Sequence, residues 1–174
     1  MNFPLAWSNV FTKGNYVVNG SGGTGVDFAH GASVGTAANI LDDYEEGSWT
    51  PGFYPMSSAM TISYDLRTGS YVRVGRVVYW AFRVRLSALS GQMGQNMGFS
   101  GFPYNIDGSQ PQFGGTIYGE GYTGEIPNGI FYDGGVNRGT LYYPTSNGAK
   151  AVLQAGDVNG SNSYTTGTGF YFAA

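Results

Sequence analysis

The sequence predicts an all-β protein, an antiparallel β-sandwich of jelly-roll type, and three observations carry that reading. Glycine supplies 30 of the 174 residues and aromatic side chains 16%, whereas only 11% are charged. With only two lysines, Lys13 and Lys150, the chain lacks the supply of Ala, Glu, Lys and Leu that long exposed helices need. Between Val78 and Leu86, apolar Val78, Trp80, Phe82, Val84 and Leu86 alternate with Tyr79, Ala81, Arg83 and Arg85. That is the two-residue period of a strand with one buried face. Beyond it, short aromatic or β-branched runs recur between glycine-rich turns about every ten residues, as in a sandwich rather than in β-α-β units.

In chain order, the first element is an apolar segment with Phe3, Leu5, Trp7, Val10 and Phe11, followed by Tyr16, Val17 and Val18. So much apolar surface implies an anchor that docks on a partner. NGSGGTG, residues 19–25, reads as a flexible linker. Residues 1–25 are thus an anchor and linker, residues 26–51 a junction, and residues 52–174 the β domain. TISYDL and SYVRV flank Arg67-Thr68-Gly69 and are expected as two short strands joined by a turn. The strand around Trp80 follows, then the runs GFPYNI, FGGTIYG, NGIFYDGG, GTLYYP, AKAVLQA and GFYFAA.

Several chemistries are disfavoured by what is missing. There are no cysteines, which removes disulfides, thiol nucleophiles and Cys-ligated zinc. A formal charge of −3 without a Lys/Arg cluster argues against nucleic acid. The start lacks a basic stretch followed by an apolar run, and nowhere do 18 apolar residues run together, so neither a signal peptide nor membrane insertion is expected. Gly20, Gly22 and Gly25 match a dinucleotide fingerprint in spacing, but Val26 to Ala38 has no helical period to place a helix behind it. His30 is the only histidine, and no G-x-S-x-G elbow accompanies it, so no triad is expected. Asp157, Asn159 and Ser161 have the alternate spacing of a Ca²⁺ loop without its later glutamate and read as a β-turn. No cofactor and no metal are expected.

Two constellations remain. Asp42, Asp43, Glu45 and Glu46 crowd four carboxylates into five positions. They are too close together to bracket a sugar ring as a glycosidase pair and are read as a structural turn that meets arginines such as Arg73, Arg76 or Arg83. Tyr118, Tyr122, Tyr132, Tyr142 and Tyr143 lie in or near glycine-rich stretches. They are candidate ligand-contacting residues, since rigid rings with hydroxyl tips suit sugars or protein surfaces, and they serve equally as core.

LDDYEEGSWTP (Leu41 to Pro51), then GSYVRVGRVVYWAFRVRL, GFPY and a closing GFYF resemble the C-terminal domain of tailed-phage fibre and tailspike proteins. In that family an LDDYEEG-T/S-WTP segment precedes a strand of the form Y-x-x-V/I-G-x-V-V-x-V, a GFPY-like element and a final aromatic strand. VDFAHGAS is similar to the stretch that often leads into the acidic segment. The resemblance spans residues 25–174 and implies a homotrimeric β-sandwich on a virion. Leu41, Asp42, Asp43, Tyr44, Glu45, Glu46 and Trp49 would then form the trimer junction. Only ~25 residues precede this region, less than ~90 Å even fully extended. That suits a knob seated directly on the shell better than a reaching fibre. The expected role is a non-enzymatic capsid decoration or cement protein on the outer surface of the head. Its partners would be its own copies and the major capsid protein, with a second role in host-surface adhesion. The alternative is the receptor-binding tip of a tail fibre or tailspike, recognising host polysaccharide.

Overall fold

The structure, a computed structural model, describes residues 19–20, 23–24, 26–27, 40–41, 44–56 and 60–174. The chain divides into two compact units, Met1–Asp42 and Asp43–Ala174. In the first, four two-residue strands are described: β1 (Asn19–Gly20), β2 (Gly23–Thr24), β3 (Val26–Asp27) and β4 (Ile40–Leu41). β1 pairs with β2 and β3 with β4, both antiparallel. The glycine-rich stretch expected as a plain linker therefore contains a ladder of its own. The anchor candidates Phe3, Leu5, Trp7, Val10 and Phe11 lie outside the described residues.

The second unit contains β5 (Tyr44–Trp49), β6 (Gly52–Pro55), β7 (Met60–Val74), β8 (Val77–Gly91) and β9 (Met97–Ser100). It continues with β10 (Phe113–Glu120), β11 (Gly129–Tyr132), β12 (Arg138–Pro144), β13 (Lys150–Val152) and β14 (Tyr164–Phe172). One 3-10 turn, Ala155–Asp157, stands before β14. The strands form one antiparallel sheet in the order β5-β7-β8-β14-β10-β11-β12-β9-β6, with β13 added beside β12. The two ends of that path, β5 and β6, are joined in sequence only by Thr50 and Pro51. So short a link forces the sheet to curl until its ends meet. The interior shows the result: Phe82 of β8 stacks on Phe99 of β9 at 4.2 Å, although four strands separate them along the ladder.

The alternation in β8 is as expected, with Val78, Trp80, Phe82, Val84 and Leu86 buried and Tyr79, Ala81, Arg83 and Arg85 exposed. Two expectations change. TISYDL and SYVRV are not separate strands, because Met60 to Val74 runs on through Arg67-Thr68-Gly69. Its partner β8 is just as long, and continuing the ladder satisfies more backbone groups than turning away would. The turn falls instead at Gly75 and Arg76, where Gly75 adopts φ +57° in the left-handed region. GFPYNI forms no strand beyond an isolated bridge from Ile106 to Ala173. It is a loop that drives Phe102 into the core at 1% exposure.

Glycine and aromatic residues turn out to be coupled rather than parallel excesses. Trp49 is registered opposite Gly69, Tyr71 opposite Gly47, Tyr54 opposite Gly98, Trp80 opposite Gly169 and Phe82 opposite Gly167. In each pair the ring lies over the glycine, where an added Cβ would collide with it. Strand interiors normally disfavour glycine. A large ring covering the bare backbone restores the lost packing, so these residues serve the ladder rather than a turn. Trp49 also stacks on Phe102 at 5.1 Å and meets Phe82 and Phe99 edge-on, tying β5 to the same aromatic core.

Candidate functional site

Glu45 and Glu46 of the acidic motif lie in a strand at the margin of the sheet rather than in a turn. β5 pairs with β7, and among the described residues no strand pairs with its other side. Register places Glu45 opposite Arg73, and Arg73 opposite buried Val78, so Glu45 and Arg73 share the rim of the interior face. Glu45 is tied from two directions: Tyr71 Oη donates to Oε1 and Tyr104 Oη to Oε2. The two rings meet edge to face at 5.8 Å, and the Arg73 guanidinium lies 4.7 Å from the Tyr104 ring centre. Tyr104 is itself fixed by Tyr171, whose hydroxyl accepts from the Tyr104 N–H and donates to its carbonyl, both at 3.1 Å. The phenols of Tyr104 and Tyr71, with a smaller contribution from Arg73, hold the Glu45 carboxyl below its ordinary range. In return, the hydrogen bond to Glu45 pushes the Tyr71 phenol up. The loop that carries GFPY is thus latched onto the strand that carries YEEG.

The expected arginine partners divide. Arg73 does face the motif, Arg76 pairs with Asp107 instead, and Arg83 has no polar partner among the described residues. Of the junction candidates, Leu41 lies in β4, and Asp42 and Asp43 fall outside the described residues. Trp49 is 8% exposed and its Nε1 donates to the Ser70 carbonyl at 3.2 Å, so it belongs to the core. Tyr44, 63% exposed, and Glu46, which accepts from Tyr44 Oη at 3.3 Å, are left facing outward along the edge.

The five candidate tyrosines do not converge. Tyr132 is a correction: it is fully buried in β11, with Oη accepting from Trp80 Nε1 at 3.0 Å and donating to the Phe170 carbonyl at 2.9 Å. A ring so enclosed offers no face to a ligand. Tyr122 is half-buried, bonded to Thr165 Oγ1 at 2.8 Å, and burial raises its phenol pKa. Tyr142 is half-buried with Lys150 Nζ 4.7 Å from its ring centre, and Tyr143 is half-buried on the same strand. Tyr118 alone is widely exposed, at 59%. Asp157 and Asn159 turn out to be turn residues. Asp157 accepts from the Gln154 N–H, and Asn159 Oδ1 accepts from the Ser161 N–H and hydroxyl. Among the described residues no group of three His, Asp or Glu side chains is placed to hold a metal ion.

The residues that sequence reasoning passed over lie on the outer face of β5, β7, β8, β14 and β10. Tyr79 and Phe170 are registered opposite each other with ring centres 6.1 Å apart, and remain 54% and 44% exposed. The alternation in β8 had already placed Tyr79 outside; its pairing with Phe170 is a matter of register. Three cross-strand rows structure this face. Glu46, Val72, Tyr79 and Phe170 form one ridge, and Thr68, Arg83, Thr166 and Tyr118 another. Between them lie Ser48, Ser70, Ala81, Thr168 and Thr116, all small and all exposed. The result is a trough across five strands. Two adjoining depressions of about 500 and 390 Å³ share Ser70 and Ala81 in its floor.

Compared with known proteins, the chain matches no protein-family model, no curated protein and no solved structure. Its function is read from its own geometry.

Proposed function

We propose that the chain is a non-enzymatic structural protein of a tailed phage, a homotrimer seated on the outer surface of the capsid that binds major capsid subunits and adheres to the host surface. In this reading the curled sheet packs as a sandwich of jelly-roll type, and the segment Leu41 to Trp49 organises the trimer. The observation that carries it is the edge strand β5. It is rigidly latched by Glu45, Tyr71 and Tyr104, presents Tyr44 and Glu46 outward, and has one side without a strand partner among the described residues. An edge strand bearing an exposed ring suits an assembly surface, because backbone groups without a strand partner among the described residues and apolar area are both satisfied by a neighbouring chain. Glu45 also speaks for a structural role, since one phenol donates to each of its oxygens and ties the loop that carries GFPY to the sheet.

Copy number per purified virion, measured by mass spectrometry against the major capsid protein, tests the assignment. Hundreds of copies in a ratio set by icosahedral symmetry are expected. A few to a few dozen copies would overturn the capsid role and favour the second reading, a receptor-binding tip of a tail fibre or tailspike. The trimer is tested separately by the molar mass of the purified protein in solution, where a monomer refutes it.

A further inference from the structure

We infer that the trough on the outer face of β5, β7, β8, β14 and β10 binds a linear oligosaccharide, with Tyr79 and Tyr118 as stacking walls and Ser70, Ala81 and Thr168 as its floor. The inference rests on the adhesion role proposed above and assigns that role to this face rather than to loops.

Dimensions come first. Five strands about 4.8 Å apart give a trough roughly 19 Å long, and ridges four residues apart along each strand stand roughly 13 Å from one another. That is a channel for an extended chain rather than a pocket for a single small molecule. Chemistry comes second. The floor carries hydroxyls and no charge, while Glu46 stands at the β5 end of the first ridge and lines one depression. Thr166 and Thr168 donate their hydroxyl protons to the Phe82 and Trp80 carbonyls at 2.8 and 3.0 Å. Their oxygens therefore face outward as fixed acceptors. The hydroxyls of Thr68 and Ser70 have no hydrogen-bond partner among the described residues and can donate or accept. Arg83, also without a polar partner among them, adds a planar donor fork at the second ridge. A polyol supplies matching donors and acceptors along its length, while the C–H face of each sugar ring lies against an aromatic wall. These side chains stand on paired strands, so little freedom is lost on binding.

Two other occupants fit less well. A peptide added as a strand needs a sheet edge, and this is a face whose backbone groups point to neighbouring strands. Subunit contacts are depleted in serine, whereas the floor beyond β5 carries Ser70.

The test uses the full chain on a printed array of neutral hexose and hexuronate oligosaccharides, followed by titration of the best responder. Two variants are compared, Tyr79→Ala, which removes a wall, and Ala81→Arg, which fills the floor from an exposed strand position. Circular dichroism and molar mass check that each keeps the fold and the oligomeric state. The expected result is saccharide binding by the wild-type protein that weakens about tenfold or more in each variant. Undiminished binding by both folded variants overturns the trough and leaves the adhesion role intact. Absence of both saccharide and peptide binding by the wild-type protein overturns the trough and the adhesion role together. A change of oligomeric state in Ala81→Arg, or array-silent protein that captures peptides through this face, overturns the saccharide in favour of a protein contact.

Discussion

Substituting Tyr132→Phe removes a single oxygen from the centre of the core, and the structure sets what that oxygen is worth. It accepts from Trp80 Nε1 at 3.0 Å and donates to the Phe170 carbonyl at 2.9 Å, with Tyr132 itself fully buried and Trp80 2% exposed. Phenylalanine fills nearly the same volume, so the apolar packing survives. What changes is that the indole N–H, packed against Phe82 and Phe102, loses the one acceptor it has among the described residues. A buried donor left unpaired costs about 1–3 kcal/mol. The carbonyl loses one donor as well, and the easier burial of Phe offsets part of the total, leaving about 2 kcal/mol. For a chain of this size that lowers the melting temperature by roughly 4–8 °C. Urea unfolding followed by tryptophan fluorescence and circular dichroism measures it, with an unchanged slope showing that both states keep their compactness. The partner substitution Trp80→Phe closes a double-mutant cycle, where the coupling is expected near 1 kcal/mol. A Tyr132→Phe protein within about 0.5 kcal/mol of wild type refutes the claim that this hydroxyl satisfies the core.

Gly169→Ala drives a methyl into the Gly114 carbonyl and the Trp80 ring, and overpacking of about 1–3 kcal/mol or insoluble expression is expected. Gly94→Ala, whose Cβ meets nothing and whose φ is not positive, is neutral or stabilising by up to about 1 kcal/mol; equal effects of the two in thermal melts refute the ring-over-glycine account. Burial raises the phenol pKa values of Tyr54, to about 12, and of Tyr64, Tyr122, Tyr132 and Tyr171. Folding therefore holds these protons more tightly than the unfolded chain does. Their contribution is complete below the ordinary tyrosine value near pH ~10 and is lost as pH rises through the folded values. The share of tyrosinate absorbance that belongs to these five phenols should appear only with unfolding; full ionisation of all fourteen tyrosines near pH ~10 in a still-folded protein contradicts this. Glu45→Ala releases Tyr71 and Tyr104, so amide exchange in residues 101–106 should accelerate while β8 and β14 stay protected, and unchanged exchange there removes the latch.

The sequence by itself determined the class of structure. The β8 pattern named its buried face residue by residue because a strand's two-residue period is local and survives any tertiary arrangement. The positions of β10, β12 and β14 were likewise marked by aromatic and β-branched runs between turn residues. Register and curvature were beyond it, since both depend on contacts between residues far apart in the chain. Nothing local shows that Arg67-Thr68-Gly69 continues a strand; only a fifteen-residue partner makes that ladder the better solution. Nothing local separates Tyr132 from Tyr118, two tyrosines in similar glycine-rich settings. Strand parity relative to a closed core sends one inward to Trp80 and the other outward beside the trough. The glycine count looked like turn chemistry because propensity is read one residue at a time. The five glycine–ring pairs exist only once two strands are aligned, and that alignment is fixed by the burial of rings that the strands share.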